Sequence, residues 1–186
     1  LSISNVTGKK YGDADFTLTT TGGSGYGAVS YGVPANNGVL EIIGDTAKII
    51  GVGSVKVMAV KASDNNYNET SAELTVTIGK GDAPAITFPT AGELTYGQKL
   101  SESTLTGGST EHGTFAWKDG DIIPTIENTG YDVVFTPNAT ALKNYNIEPI
   151  TRNISVKVNK QPQANLEISE ITPKTYGDKE FKLKTT

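Results

Sequence analysis

Apolar and polar residues alternate along most of this chain, in short runs broken by glycine and asparagine. Leu1, Ile3 and Asn5 alternate with Ser2, Ser4 and Val6, which predicts an edge strand over 1–6. Phe16-Thr17-Leu18-Thr19 keeps the same period of two, so Phe16 and Leu18 should point inward. Further strands are predicted at 28–33, with Val29, Tyr31 and Val33 on one face, and at 39–43, 47–50 and 54–61. Val55, Val57 and Ala59 share a face of the last of these, and Leu74, Val76 and Ile78 form the inward set of a closing strand. Gly22-Gly23-Ser24-Gly25, Gly44-Asp45 and Gly51-Val52-Gly53 read as turns. Asn36-Asn37-Gly38 reads as a hairpin, because Asn and Gly accept positive φ at little cost. No stretch shows a helical period of useful length.

The pattern then starts again. Lys10-Tyr11-Gly12-Asp13-Ala14-Asp15-Phe16-Thr17-Leu18-Thr19-Thr20 returns as Thr175-Tyr176-Gly177-Asp178-Lys179-Glu180-Phe181-Lys182-Leu183-Lys184-Thr185. The same ungapped register, 165 residues on, sets Leu1-Ser2-Ile3-Ser4 against Leu166-Glu167-Ile168-Ser169. A weaker copy is Thr95-Tyr96-Gly97-Gln98-Lys99-Leu100. Tyr-Gly at 11, 96 and 176 predicts an array of similar modules: 1–80, a shorter one at 81–160, and the opening strands of a third at 161–186. Gly107-Gly108-Ser109 answers Gly22-Gly23-Ser24, and Asn144-Tyr145-Asn146 answers Asn66-Tyr67-Asn68. Phe115 and Trp117 fall where Val29 and Tyr31 fell, and Ile154, Val156 and Val158 repeat Leu74, Val76 and Ile78. Tyr131, Val133 and Phe135 make an inward set in which Val133 and Phe135 match Val55 and Val57. In that alignment the second module is eight residues shorter in its middle, which predicts one strand less. The joints at 79–84 and 159–163 are short and each carries a Pro, which predicts an extended string of modules.

Composition narrows the function. A formal charge of −4, without clustered Lys and Arg, argues against nucleic acid or an anionic membrane as partner. No apolar run reaches the roughly 18 residues of a membrane span, and neither a signal peptide nor an anchoring tail is visible. The chain opens inside one repeat and closes inside another, as a piece of a longer protein would. It has no cysteine, so no disulfide supplements its cores.

Chemistry-bearing residues are sparse. His112 is the only histidine, lies in the polar loop 109–113 without a second His or a Cys, and is expected to be exposed. Asp64, Asn65, Asn66 and Asn68 carry oxygens suited to calcium, but lack a bidentate acid further on, and the matching loop 138–146 has no acid. An Asx-bonded turn is expected there instead. Asp13 with Asp15, and Asp178 with Glu180, are expected to bond backbone amides in the turn after Tyr-Gly. Tyr11, Tyr67, Tyr96, Tyr145 and Tyr176 are expected to close module ends, with hydroxyls on backbone groups, in preference to offering faces to a sugar. Trp117 is expected in the core. Lys9 or Lys10 with Asn159 are the residue types of an isopeptide crosslink, without an identifiable buried acid. Asn5, Asn68, Asn138 and Asn153 open Asn-x-Ser/Thr triplets and read as turn residues. No catalytic, cofactor-binding or metal-binding residue is assigned.

Tyr-Gly-Asp-x-x-Phe, Asn-Asn-Gly-Val-Leu, Gly-Val-Gly-Ser-Val-Lys-Val-Met-Ala-Val-Lys-Ala and Asn-Tyr-Asn carry a resemblance. The chain resembles the tandem immunoglobulin-like repeats, of YDG or MBG type, in large bacterial surface and secreted proteins. The second module is similar to companion repeats reading Leu-Thr-Tyr-Gly-Gln, Gly-Thr-Phe-x-Trp and Val-Val-Phe-Thr-Pro. The resemblance implies all-β, immunoglobulin-like β-sandwiches in tandem, extracellular, serving as a non-enzymatic stalk or adhesin shaft with no cofactor. The alternative is a module that binds carbohydrate or a host protein through loops and aromatics. Gln98 and Lys99 depart from the acidic turn, so a binding role of Asp13 cannot be general to the array. The opening strands at 166–186 should pair with another molecule by strand addition or exchange.

Overall fold

In the computed structural model, which describes residues 1–164 and 166–184, strands predominate and the described residues contain one α-helix of six residues. The first repeat holds β1 (Ser2–Ile3), β2 (Phe16–Thr17), β3 (Thr20–Thr21), β4 (Val29–Gly32), β5 (Leu40–Ile43), β6 (Thr46–Ile49), β7 (Gly53–Lys61) and β8 (Thr70–Ile78). The second holds β9 (Thr90–Ala91), β10 (Leu94–Thr95), β11 (Leu105–Thr106), β12 (Gly113–Trp117) and β13 (Tyr131–Pro137), then α1 (Ala139–Asn144), β14 (Ile150–Ile154) and β15 (Val158–Asn159). A 3-10 turn lies at Leu100–Glu102.

In the first repeat one antiparallel sheet runs β4-β7-β8 and another β2-β6-β5, while β1 pairs with β3. The β7–β8 ladder is nine residues long, from Gly53 opposite Ile78 to Lys61 opposite Thr70. Its alternation buries Val55, Val57, Val76 and Ile78, which meet Leu18, Leu40 and Ala47 in one aliphatic cluster. Burying a side chain of this size contributes roughly 1.5–3 kcal/mol, so this cluster is the main cohesion of the repeat. The second repeat has a β12-β13-β14 sheet, a β9–β11 pair and a parallel β10–β15 pair. It has two smaller cores: Leu94, Leu100, Val156 and Val158 with Trp117 and Tyr131 packed on them, and Phe135, Ala141 and Ile147 with Phe88, Phe115 and Tyr145. Trp117 is thus at the core as expected, and its indole N–H donates to the Ser103 carbonyl at 3.2 Å. Among the described residues no sheet and no cluster mixes the two repeats.

Three expectations are corrected. Asn36 and Gly38 do adopt positive φ, +56° and +66°, but β4 and β5 lie in different sheets, so the turn is a crossover and no hairpin. Asn37 fixes it: Oδ1 accepts from the amides of Val39 and Leu40, and Nδ2 donates to the carbonyls of Pro34 and Leu40. The hairpin comes next, at Gly44-Asp45, between β5 and β6. Turn chemistry sets the local bend, and burial decides which strands then pair.

The second correction concerns alignment. Trp117 lies opposite Val133 as Tyr31 lies opposite Ala59, and Ile154 opposite Tyr131 as Leu74 opposite Val57. Tyr131 and Val133 therefore hold the places of Val57 and Ala59, and Phe135 that of Lys61. The middle is then twelve residues shorter, and both strands of the β5–β6 hairpin are missing, since residues 118–130 hold no strand. Third, four residues return before Asn-Tyr-Asn as α1, about one helical turn. Asn138 caps it, Oδ1 accepting the Ala141 amide at 2.8 Å, and Ala141 is buried. A helix this short has no period to read.

Candidate functional site

The repeated Tyr-Gly motif is a turn closed by a side chain. Gly12, Gly97 and Gly177 take φ of +90°, +99° and +99°, as the third residue of a type II turn requires. In each copy the residue after the glycine donates its amide back to the residue before the tyrosine: Asp13 to Lys10, Gln98 to Thr95 and Asp178 to Thr175. Its side chain accepts the amide returned, Lys10 N–H to Asp13, Thr95 N–H to Gln98 and Thr175 N–H to Asp178, at 2.7–2.9 Å. Asp13 and Asp178 thus do what the sequence suggested. Gln98 performs the same task with a longer, neutral side chain, so the turn needs an acceptor and not a charge.

Each complete repeat ties this turn to its last strand. Tyr11 donates its amide to Gly79, and Tyr96 to Asn159, both at 2.9 Å. At the end of the first repeat the chain makes a second pairing at once. Gly81 donates to the Asn144 carbonyl at 2.8 Å and accepts from Asn146 at 2.9 Å. Lys80 alone separates the β-bridge of Gly79 to Lys10 from that of Gly81 to Tyr145. Side chains close around this crossing. Tyr11 meets Tyr145 edge-on at 5.2 Å, and His112 meets the same ring edge-on at 5.2 Å. Lys10 pairs with Asp82, and Lys80 Nζ donates to the Leu142 carbonyl at 2.7 Å. The Asp82 carboxylate holds the Lys10 ammonium above its usual value, and burial pushes the Tyr145 phenol up. A Cβ on Gly81 would stand 2.3 Å from the Tyr11 carbonyl oxygen, so the close approach demands glycine.

His112 is therefore no exposed loop residue: its side chain is 19% exposed, because the joint packs it on Tyr145. The five tyrosines divide. Tyr11 and Tyr145 close the joint, while Tyr67, Tyr96 and Tyr176 are exposed, and no hydroxyl of the five has a hydrogen bond among the described residues. Asp64 serves the turn: Oδ1 accepts the amides of Asn66 and Tyr67 and Oδ2 that of Tyr26, tying two loops together. These bonds, Asn66 foremost and then Tyr26, hold its carboxyl below the usual aspartate range. Lys9 lies over the Phe16 ring and Lys10 on Asp82, whereas Asn159 donates to Glu93, which also takes Lys157. The structure does not bring the crosslink types together. Sequence reasoning missed the joint, whose only trace is a glycine on either side of Lys80.

Among the described residues no cluster of three His, Cys, Asp or Glu is placed to hold a metal, and no helix is long and apolar enough to cross a membrane. An open depression of about 380 Å³ lies between Leu100, Ile122 and Tyr131. Its Lys118 and Asp132 are paired with each other at 3.2 Å. Family models, curated proteins and solved structures were compared with the chain, and none matches.

Proposed function

We propose that this chain is a spacer: tandem immunoglobulin-like β-sandwich repeats, without enzymatic activity, in the stalk of a bacterial surface or secreted protein. The observation that carries the reading is the crossing at Lys80, where one residue separates two β-bridges. A chain that passes from one repeat to the next with so little free backbone transmits orientation, which is what a stalk needs. The tyrosine pair adds about 0.5–1.5 kcal/mol. The exposed Lys10–Asp82 pair adds little beyond direction. The sequence resemblance supports the placement outside the cell.

The test is the distance distribution between spin labels, one on β7 and one on β13. The expected result is one narrow peak, broadened in Gly81→Gln, whose side chain meets the Tyr11 carbonyl. A broad distribution in the unaltered chain, or a specific signal from the chain on a glycan array, overturns the reading in favour of a flexible or a ligand-binding module.

A further inference from the structure

The chain holds eight tyrosines and no cysteine. Among the described residues a single pair of tyrosines is in ring contact, and that pair spans the two repeats. Tyr11 comes from the Tyr-Gly turn of the first, and Tyr145 from the end of α1 in the second. Their centroids are 5.2 Å apart with the ring planes crossed at 86°, and both residues are half-buried. The backbone holds each of them in place. Tyr11 donates its amide to Gly79, and two residues on Gly81 forms a parallel bridge with Tyr145. A Cβ on Gly81 would lie 3.1 Å from Cδ1 of Tyr145, so the linker itself bears on the ring. His112 packs on the same ring at 5.2 Å. Tyr26, Tyr67 and Tyr96 are exposed, and none of them meets another tyrosine ring among the described residues.

The geometry points to Tyr11 and Tyr145 as an oxidative crosslinking site, at which a dityrosine bond staples the joint. The oxidant is of the one-electron class, such as a peroxidase intermediate or a photoexcited metal complex. It takes one electron from each phenol, and each phenol releases its hydroxyl proton to water. The two phenoxyl radicals couple through the ring carbons ortho to their oxygens. The hydrogens on those carbons then shift to the oxygens, which restores both aromatic rings. In all, two electrons pass to the oxidant and two protons to water, and one carbon–carbon bond forms. A biaryl bond accepts crossed ring planes. The step requires the rings to swing toward each other, and side-chain motion on the picosecond to nanosecond scale supplies that within the lifetime of a phenoxyl radical.

The link changes what tension does. Most of both repeats lies between the two residues: β2 to β8 of the first, and β9 to α1 of the second. A pull that enters before Tyr11 and leaves after Tyr145 crosses the new bond instead of that backbone. Residues 12–144 are then shielded from extension. The closed loop is also restricted in its unfolded state, as a disulfide restricts one. A chain without cysteine thereby gains a covalent staple. This goes beyond the spacer reading and rests on the joint alone.

The test oxidises the dilute chain with a photoexcited ruthenium complex and persulfate, a small reagent that needs no docking to the protein. The monomer is then digested, and its crosslinked peptides are identified by mass. The expected product is lighter than the chain by two hydrogen atoms. It joins the Tyr11 peptide to the Tyr145 peptide, several-fold above any other tyrosine pair within the chain. Tyr11→Phe and Tyr145→Phe keep the ring that packs in the joint, and each should abolish the link. Gly81→Gln keeps both tyrosines but drives a side chain against the Tyr11 carbonyl, and should lower the yield several-fold. A yield spread evenly over tyrosine pairs, or one that Gly81→Gln leaves unchanged, overturns the proposal. Spin-label distances across the joint are read on the unoxidised chain, so the spacer reading stands or falls separately.

Discussion

The two repeats have the same frame and fill it differently. Both place a three-stranded antiparallel sheet beside a Tyr-Gly turn whose amide is held by the last residues of the repeat. The first fills its interior with aliphatic side chains between a nine-residue ladder and the β5–β6 hairpin. The second has no such hairpin, and its closing strand breaks between Ile154 and Val158. One of its two cores is aromatic: Phe88, Phe115 and Phe135 pack with centroids 5.1 Å apart in each contact.

The two crossings differ in the same spirit. Gly81, Asp82 and Lys10 lock the first, while Gln161, Pro162 and Thr95 stand at the corresponding places of the second. Gln161 carries the Cβ that the first crossing excludes, and Pro162 and Thr95 remove the ion pair.

The largest expected effect comes from the aromatic filling. Phe135→Ala should cost the second repeat about 3–5 kcal/mol. Trp117, the single tryptophan, packs in that repeat and reports its unfolding by fluorescence. First-repeat amide signals should persist past the fluorescence midpoint; if both fail together, the repeats are one cooperative unit and the contrast between them falls. Smaller is the turn clasp. Asp13→Ala and Gln98→Ala should each cost about 0.5–1.5 kcal/mol in denaturant midpoints. Gln98→Asp should stay near wild type, and a large loss there would show that the second turn needs the longer side chain.

The smallest effect is one of pH. The depressed Asp64 carboxyl stabilises its loops above the ordinary aspartate range, and that help is lost as pH falls through its lowered folded-state value. The second repeat uses Asn138 at the matching loop, which does not titrate. Hydrogen exchange at the Tyr26, Asn66 and Tyr67 amides should therefore lose protection in acid, beyond intrinsic rates, while the Ala141 amide does not. In Asp64→Asn the acid-dependent loss should vanish. An unchanged acid response would move its origin elsewhere.

The sequence by itself determined the longer strands, their inward faces and the recurrence, while the two-residue strands Thr20–Thr21, Thr90–Ala91 and Leu105–Thr106 left no mark in it. Period-two burial of Val55, Val57, Val76 and Ile78 is written in alternation, and the turn clasp in the spacing of Asp13 from Lys10. Local patterns of this kind act over a few residues and leave a trace in residue order. Which strands pair was decided by tertiary structure. Asn36-Asn37-Gly38 turns the chain equally well into a hairpin or a crossover, and α1 is too short to announce itself. The register that sets Phe135 at the place of Lys61 exists only once the sheets are formed. The joint was decided there too. Gly81 reads as linker until Tyr11 and Tyr145 close on it, because contacts between residues 134 apart carry no local signature.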